Sequence, residues 1–349
     1  MAILLREIME QPEVLRRLLA DELEPIRATA QFVRAHEVHH VLIAARGTSD
    51  NAATYAKYLL GVANGLPGAL AAPSLYTLYG SPPRLHHTLV MGISQSGMSP
   101  DIVAVLQDAR AQGQPTLAIT NDPASPLAAA AERTIALRAG PEQSVAATKT
   151  YTAELMALAL LSIALDEGTP AYDARLQQAA AMPQSVEDAL ALGAGLAERA
   201  ERYRYMASCA TIARGYNYAT ALEVALKLKE LTYVGATPYS SADFMHGPIA
   251  VVERGFAVLV IAPTGATHAS LLELLGELRA REAELIVISD RDDALAHAHT
   301  GLRLPAGVPE WLSPIVSVIP GQLLAYHLAR AKGLDPEQPR GLRKVTETR

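Results

Sequence analysis

Ile93 to Val103 reads ISQSGMSPDIV. Ser94, Ser96 and Ser99 bring three hydroxyls to one short turn, Gln95 brings an amide, and Gly97 can take the positive φ that lets backbone approach a ligand closely. Such a set donates many hydrogen bonds to one anion without supplying a full countercharge, which suits a phosphate monoester. Ser99 has the position and chemistry of an N-cap, Pro100 that of a first helical residue, and Asp101 lies in the first turn. The helix start this predicts aims unpaired N–H groups and a partial positive charge at whatever occupies the turn. An ordinary polar turn whose serines bond locally has the same composition, because one serine already accounts for the cap. The stretch RGTSDNAATYA favours the anion: Gly47, Thr48 and Ser49 again stand between an apolar run and a helical one, so two hydroxyl-rich turns can face one pocket.

A different chemistry lies in TALEVALKLKELTYV, Thr220 to Val234. Glu223, Lys227 and Glu230 are spaced i, i+4, i+7 and share one helix face, whereas Leu222, Val224, Ala225, Leu226, Leu228 and Leu231 make the rest apolar. Lys229 points elsewhere. Two readings stand. One is an exposed Glu–Lys ladder worth a few tenths of a kcal/mol per pair; the other is a carboxylate beside an ammonium, suited to moving a proton next to a carbonyl. Downstream, SSADFMHGP places His246 on a loop before a Gly-Pro break, and the polar tail QPRGLRKVTETR carries Lys344. Taken singly, these two are equally well described as an incidental loop histidine and part of a frayed terminus.

The elements that must position these groups are written twice. IAARGTSDNAATYAKYLL and TIARGYNYATALEVALKL align Gly47 with Gly215, ISQSG and IAPTG align Gly97 with Gly265, and LAITND and LIVISD align Asp122 with Asp290, each at an offset of 168 residues. Three matches in one order at one offset argue for an internal duplication. Each half alternates short apolar runs with helical ones: HHVLIAA, TLVMGIS and TLAIT in the first, MASCATIA, FAVLVIA and ELIVIS in the second. Continuous apolar strands alternating with helices predict an α/β fold with two parallel sheets, each sandwiched by helices. In such folds ligands bind beyond the carboxyl ends of the strands, where both hydroxyl-rich turns fall. The expected division is an N-terminal helical segment over 1–36, a first α/β domain over 37–170, a helical connector over 171–203, a second α/β domain over 204–335 and a tail over 336–349. The second-half turns, RGYNYAT and APTGAT, are poorer in serine, so the halves are not expected to be equivalent sites.

Bulk properties narrow the function. Half of the 349 residues are hydrophobic and 19% are charged, enough for a sizeable core and too apolar for disorder. A net charge of −6, three Phe and one Trp disfavour a nucleic-acid partner. No uncharged apolar run reaches the roughly 18–20 residues of a bilayer span, and Arg6 and Glu7 bring charge too early for a secretory signal. The single cysteine, Cys209, excludes an intrachain disulfide and a cysteine metal cluster, in keeping with a cytoplasmic protein.

Together, RGTSDNA, ISQSGMSPD, SVAATKTYT, ALEVALKLKELTYV, DFMHGP and PRGLRK resemble, in that order, the sugar isomerase (SIS) domain family. The resemblance is closer to the isomerase half of glucosamine-6-phosphate synthase and its stand-alone deaminase relatives, and it runs nearly the length of the chain. It implies two SIS subdomains, a homodimer, and substrates that are hexose 6-phosphates or amino-hexose 6-phosphates. It assigns phosphate binding to Ser49, Ser94, Gln95, Ser96 and Ser99, and the sugar site to Thr48, Val145 and Lys227. Glu230 resembles the residue that shuttles the proton between C1 and C2, His246 the ring-opening histidine supplied by the partner subunit, and Lys344 the tail lysine that forms a Schiff base with the ketose. No metal or redox cofactor is implied, the chemistry being proton transfer and imine exchange.

The chain also departs from the synthase pattern. The synthase begins with a glutaminase domain and its terminal cysteine, whereas here position 2 is Ala2 and the first SIS landmark arrives by Gly47, so glutamine is not the expected nitrogen donor. Met98 stands where the synthase typically has Glu, and Ala147 removes the hydroxyl of its VAST motif. The SGxSPD form is more similar to the deaminase-type relatives. The reading is therefore a deaminase/isomerase interconverting glucosamine 6-phosphate with fructose 6-phosphate and ammonia. An aminotransferase-like relative or fructosamine-phosphate deglycase, and a non-catalytic sugar-phosphate sensor, are the alternatives. Phosphate binding alone needs none of Glu230, His246 and Lys344, which argues against the sensor.

Overall fold

The computed structural model describes residues 2–344. Among these residues ten strands form two five-stranded sheets, every neighbouring pair parallel. The first contains β1 (His40–Ala44), β2 (Gly68–Leu70), β3 (Thr88–Ser94), β4 (Thr116–Thr120) and β5 (Arg133–Ala136) in the order β2-β1-β3-β4-β5. The second contains β6 (Ser208–Ala213), β7 (Gly235–Ser240), β8 (Ala257–Ile261), β9 (Glu284–Ser289) and β10 (Thr300–Arg303) in the order β10-β9-β8-β6-β7. Reversed, the second order is the first order repeated, so the 168-residue offset relates two copies of one topology. The expected α/β class holds, and each of the six apolar runs named above holds a strand.

Burial explains the strand types. Every residue of β3, β4 and β8 is buried, as an inner parallel strand covered on both faces requires. The four edge strands are short or partly exposed, and β2 has only three residues. Against the first sheet, Ile102, Val105, Leu106 and Ala109 of the helix Pro100–Ala111 join Ala44, Val90, Ala118 and Leu127 in one cluster. Leu271, Leu274, Leu275 and Leu278 of the helix His268–Ala280 do the same with Val258, Val260, Leu285 and Val287 in the second.

The chain divides into two compact units. One comprises Met1–Pro12, Gln143–Thr148 and Met182–Leu342; the other comprises Glu13–Glu142, Lys149–Ala181 and Arg343–Arg349. The N-terminal segment is helical over Ile3–Met9 and Gln11–Arg34, and the connector over Tyr172–Ala180, Met182–Leu192 and Leu196–Glu201. Residues 345–349 of the tail lie outside the described residues.

In the unit holding the second sheet, the helix Tyr218–Thr232 packs on the helix Ser313–Ala331. Gly321 permits their close approach: a Cβ there would sit 2.3 Å from Val224 Cγ2. Contrary to the expectation that no apolar run reaches the length of a bilayer span, Glu310–Ala331 is long and apolar enough to cross a membrane, but the qualifying stretch is 94% buried in the protein. It is a core helix.

Candidate functional site

In a sheet ordered β2-β1-β3, the chain leaves β1 and β3 in opposite directions, and the crevice between the two exits is where ligands bind in doubly wound folds. The exit of β1 leads through Arg46 and Gly47 into the helix Thr48–Asn64, which packs on the helix Lys149–Leu165. The exit of β3 is Gln95–Ser99, leading into Pro100–Ala111. Gly97 lies at φ 64°, and a Cβ there would fall 2.1 Å from Ser125 Oγ and 2.5 Å from Ser125 Cβ. Only glycine fits. The turn is further tied down by Leu127 N–H donating to the Gly97 carbonyl at 3.1 Å and Asn121 N–H to that of Gln95 at 3.1 Å.

The serines bond partly to the turn itself, in a way that leaves them useful. Ser94 Oγ accepts from Gly97 N–H at 3.1 Å, and Ser96 Oγ accepts from Met98 N–H at 3.3 Å. Each hydroxyl spends a lone pair on shaping the loop and keeps its proton for an incoming oxygen. Ser99 stands at the N-cap with extended backbone, but its side chain makes no capping hydrogen bond, so the cap expected from sequence is positional only. Pro100 has no N–H and Ile102 N–H donates to Asp101 Oδ1 at 3.0 Å, so the first turn offers a ligand the Ser99 hydroxyl and the Asp101 N–H. Thr48 opens its helix at the neighbouring exit, half-buried. Ser49 differs from its expected role: it is 6% exposed and its hydroxyl donates to buried Glu154 Oε1 at 2.7 Å. That proton is spent inside the protein.

The electrostatics were not anticipated from sequence. Asp101, in the first turn at the phosphate-loop helix, is 1% exposed and would repel an anion if unpaired. Arg46 donates to Asp101 Oδ2 at 2.8 Å and cancels that charge. Arg46 directly precedes Gly47 at the strand exit, a place where a pairing role has no spacing signature. Burial pushes the Asp50 carboxyl above its usual range, with Arg46 and Lys57 opposing the shift.

The second-half counterpart is closed by its own side chains. Thr264 donates its N–H and its hydroxyl to Asp290 at 2.7 and 2.6 Å, and Ala266 N–H donates to Glu310 Oε2 at 2.8 Å. Glu310 Cδ lies 2.2 Å from where a Cβ on Gly265 would stand. A protein carboxylate thus takes the Thr264 hydroxyl proton, whereas its first-half counterpart on Ser96 only accepts within its turn, the physical form of the expected inequivalence.

The helix Tyr218–Thr232 resolves its two readings in favour of a buried face. Lys227 is 1% exposed, Glu223 is 0% and Glu230 keeps 21% of its side chain exposed. Lys227 Nζ lies 3.4 Å from Glu223 Oε1 and donates to Glu230 Oε2 at 2.6 Å. A buried ammonium between two carboxylates fixes the orientation of the one that still reaches solvent, which an exposed ladder cannot do. His246 is exposed and ends the short helix Ser241–Met245 ahead of Gly247. Val145, half-buried, sits in the segment Gln143–Thr148, which Glu7 holds by accepting from the N–H groups of Gln143 and Ser144 at 2.6 and 3.2 Å.

Lys344 meets a residue that the sequence reading did not select. Its Nζ donates to Glu142 Oε2 at 2.9 Å, across 202 residues of chain. Nothing in local spacing signals such a pair. Thr48, Ser49, Ser94, Gln95, Ser96, Ser99 and Lys344 belong to one compact unit, and Val145, Lys227, Glu230 and His246 to the other.

The two sheet orders, each of the form 2-1-3-4-5, define a duplicated, doubly wound parallel α/β protein. The SIS domain pattern matches residues 36–164 and 207–331. The chain belongs to the SIS domain family. It is 39% identical over 354 residues to the isomerizing glutamine–fructose-6-phosphate aminotransferase of Gloeobacter violaceus, covering 98% of this chain and 58% of that protein. It is thus homologous to that protein's isomerase part and spans little more than half its length. The C-terminal domain of glucosamine-fructose-6-phosphate aminotransferase from Francisella tularensis superposes with a TM-score of 0.87 at 28% identity, over 97% of this chain and 98% of that one. Glucosamine-6-phosphate deaminase from Thermotoga maritima shares the fold, with a TM-score of 0.79 at 18% identity over 99% and 100% of the two chains.

Proposed function

We propose that the protein is an amino-sugar phosphate deaminase/isomerase, converting glucosamine 6-phosphate and water to fructose 6-phosphate and ammonia, and the reverse. The phosphate docks on the turn after β3, where Ser94, Gln95, Ser96 and Ser99 donate to its oxygens, and Thr48 lines the sugar from the turn after β1. Ser49 contributes through its first-turn N–H rather than its hydroxyl. His246, supplied by the partner in a homodimer, opens the ring. Glu230 carries the proton between C1 and C2, with Lys227 holding its carboxylate and Val145 lining the sugar. Lys344 forms the imine with the ketose carbonyl, which activates that carbon for exchange with ammonia.

The observation that carries this reading is the state of Glu230: a carboxylate one-fifth exposed, hydrogen-bonded by an ammonium that is itself buried against a second buried carboxylate. A helix that serves only packing gains nothing from burying a lysine there. A sugar-phosphate sensor has no use for it either.

The test supplies glucosamine 6-phosphate and measures ammonia and fructose 6-phosphate together. Equimolar release is expected, reduced by about 100-fold or more in Glu230→Gln and Lys344→Ala. Thermal stabilisation by the sugar phosphate without turnover would replace the enzyme with a sensor. Turnover undiminished in both variants would remove the assigned roles.

A further inference from the structure

We propose that Glu142 is the positioning residue for the tail lysine: a buried carboxylate that docks the C-terminal segment and holds Lys344 Nζ ready for substrate. The inference rests on the reading of Lys344 as the imine-forming group and names the residue through which that group is placed.

Glu142 has no exposed side-chain surface, whereas Lys344 keeps 25% of its own. Thr150 N–H donates to Glu142 Oε1 at 3.2 Å, the Thr150 hydroxyl donates to Oε2 at 2.7 Å, and Lys344 Nζ donates to the same oxygen at 2.9 Å. Thr150 is the second residue of the helix Lys149–Leu165, so the carboxylate is oriented by a helix start before the tail reaches it. Exposed pairs such as Arg254–Glu282, with 84% and 64% of their side chains in solvent, hold neither partner in place. A carboxylate without solvent cannot trade a partner for water, so the hydrogen bond from Lys344 has no competitor from bulk solvent at that oxygen.

A lysine has a long, rotamer-rich stem, and fixing Nζ before the reaction removes that ordering from the barrier. In the imine step Nζ leaves Glu142 and bonds to the ketose carbonyl carbon. The carbonyl oxygen departs as water with two of the ammonium protons, and the iminium nitrogen keeps the third. The exposed quarter of Lys344 is the part a substrate can reach, and Glu142 is the part it must leave.

The test compares wild type with Glu142→Gln, which keeps an acceptor for Thr150 but loses the charge, and Glu142→Asp, which keeps the charge on a shorter arm. Without substrate, tryptic cleavage after Lys344 in the folded protein is expected to rise about tenfold in Glu142→Gln and less in Glu142→Asp. With fructose 6-phosphate and borohydride, the reduced adduct on Lys344 is expected to form about tenfold more slowly in Glu142→Gln, with a displaced pH profile, and to recover in part in Glu142→Asp. Equal cleavage in wild type and Glu142→Gln would overturn the docking. Equal trapping and pH profiles would overturn the positioning while leaving the imine reading intact. If wild type yields no adduct on Lys344, the imine reading itself fails and takes the positioning role with it.

Discussion

Replacing Gly97 with Ala should separate the demands of the phosphate turn from those of an ordinary positive-φ glycine. An alanine held at φ 64° costs about 1 kcal/mol in backbone strain alone. At this position its Cβ would also stand 2.1 Å from Ser125 Oγ, 2.5 Å from Ser125 Cβ and 3.1 Å from Thr120 Oγ1. Rotating the Ser125 hydroxyl away removes only the first clash and sacrifices the cap that Oγ provides to Ala128 N–H. Overpacking of that kind costs about 1–3 kcal/mol, giving roughly 2–4 kcal/mol in total. Gly113 supplies the control: it lies at φ 71° with nothing within 4 Å of a built Cβ, so Gly113→Ala should lose only about 1 kcal/mol. Urea unfolding of both variants reads the difference, and calorimetric titration with fructose 6-phosphate should show affinity lost in Gly97→Ala alone. Equal stability in the two variants, with equal affinity for the sugar phosphate, would refute the assignment of this turn as a tightly built anion cradle.

Other outcomes follow from the same geometry. Ser99→Ala should change stability by less than about 0.5 kcal/mol, because the side chain makes no cap bond, yet weaken fructose 6-phosphate binding about tenfold by calorimetry. Lys227→Met removes the buried ammonium beside buried Glu223 and should cost about 3–5 kcal/mol in chemical denaturation, part of it recovered by adding Glu223→Gln. Burial pushes the Tyr203 phenol up to about 12. Since the folded state then holds its proton more tightly than the unfolded chain, stability is full below about pH 10 and lost as pH rises towards 12, by roughly 2 kcal/mol; Tyr203→Phe should lack that limb in pH-dependent unfolding. Burial likewise pushes the Cys209 thiol up to about 12, so iodoacetamide at pH 8 should label it only after unfolding, as mass spectrometry would show.

Where the sequence was readable, the reason is burial on both faces. Runs such as TLVMGIS and FAVLVIA are apolar throughout because inner parallel strands are covered twice, although the glycines after them turn differently, Gly97 at φ 64° and Gly265 at φ 156°. Gly47 and Gly215, paired by the repeat, lie at φ 56° and 61°. The edge strands escaped notice because they need little apolar continuity: Gly68–Leu70 is partly exposed throughout. Hydroxyl-rich turns were legible as types, but not which hydroxyl faces inward; Ser49 turns to Glu154 because the helix Lys149–Leu165 brings that carboxylate beside it. The burial of Lys227 was one of two readings that the apolar helix around it allowed, whereas Glu142 and Arg46 matter through partners that only the fold supplies, at separations of 202 and 55 residues.

The most direct measurement is solvent exchange at the sugar carbons. Fructose 6-phosphate incubated with the protein in deuterated buffer, followed by proton NMR, should gain deuterium at C1 in wild type, because the proton that Glu230 carries between C1 and C2 equilibrates with water. In Glu230→Gln, exchange should fall by about 100-fold or more while the sugar phosphate still binds. Exchange at the wild-type rate in that variant, or none in the wild-type protein with saturating ligand bound, would contradict proton transfer at this site.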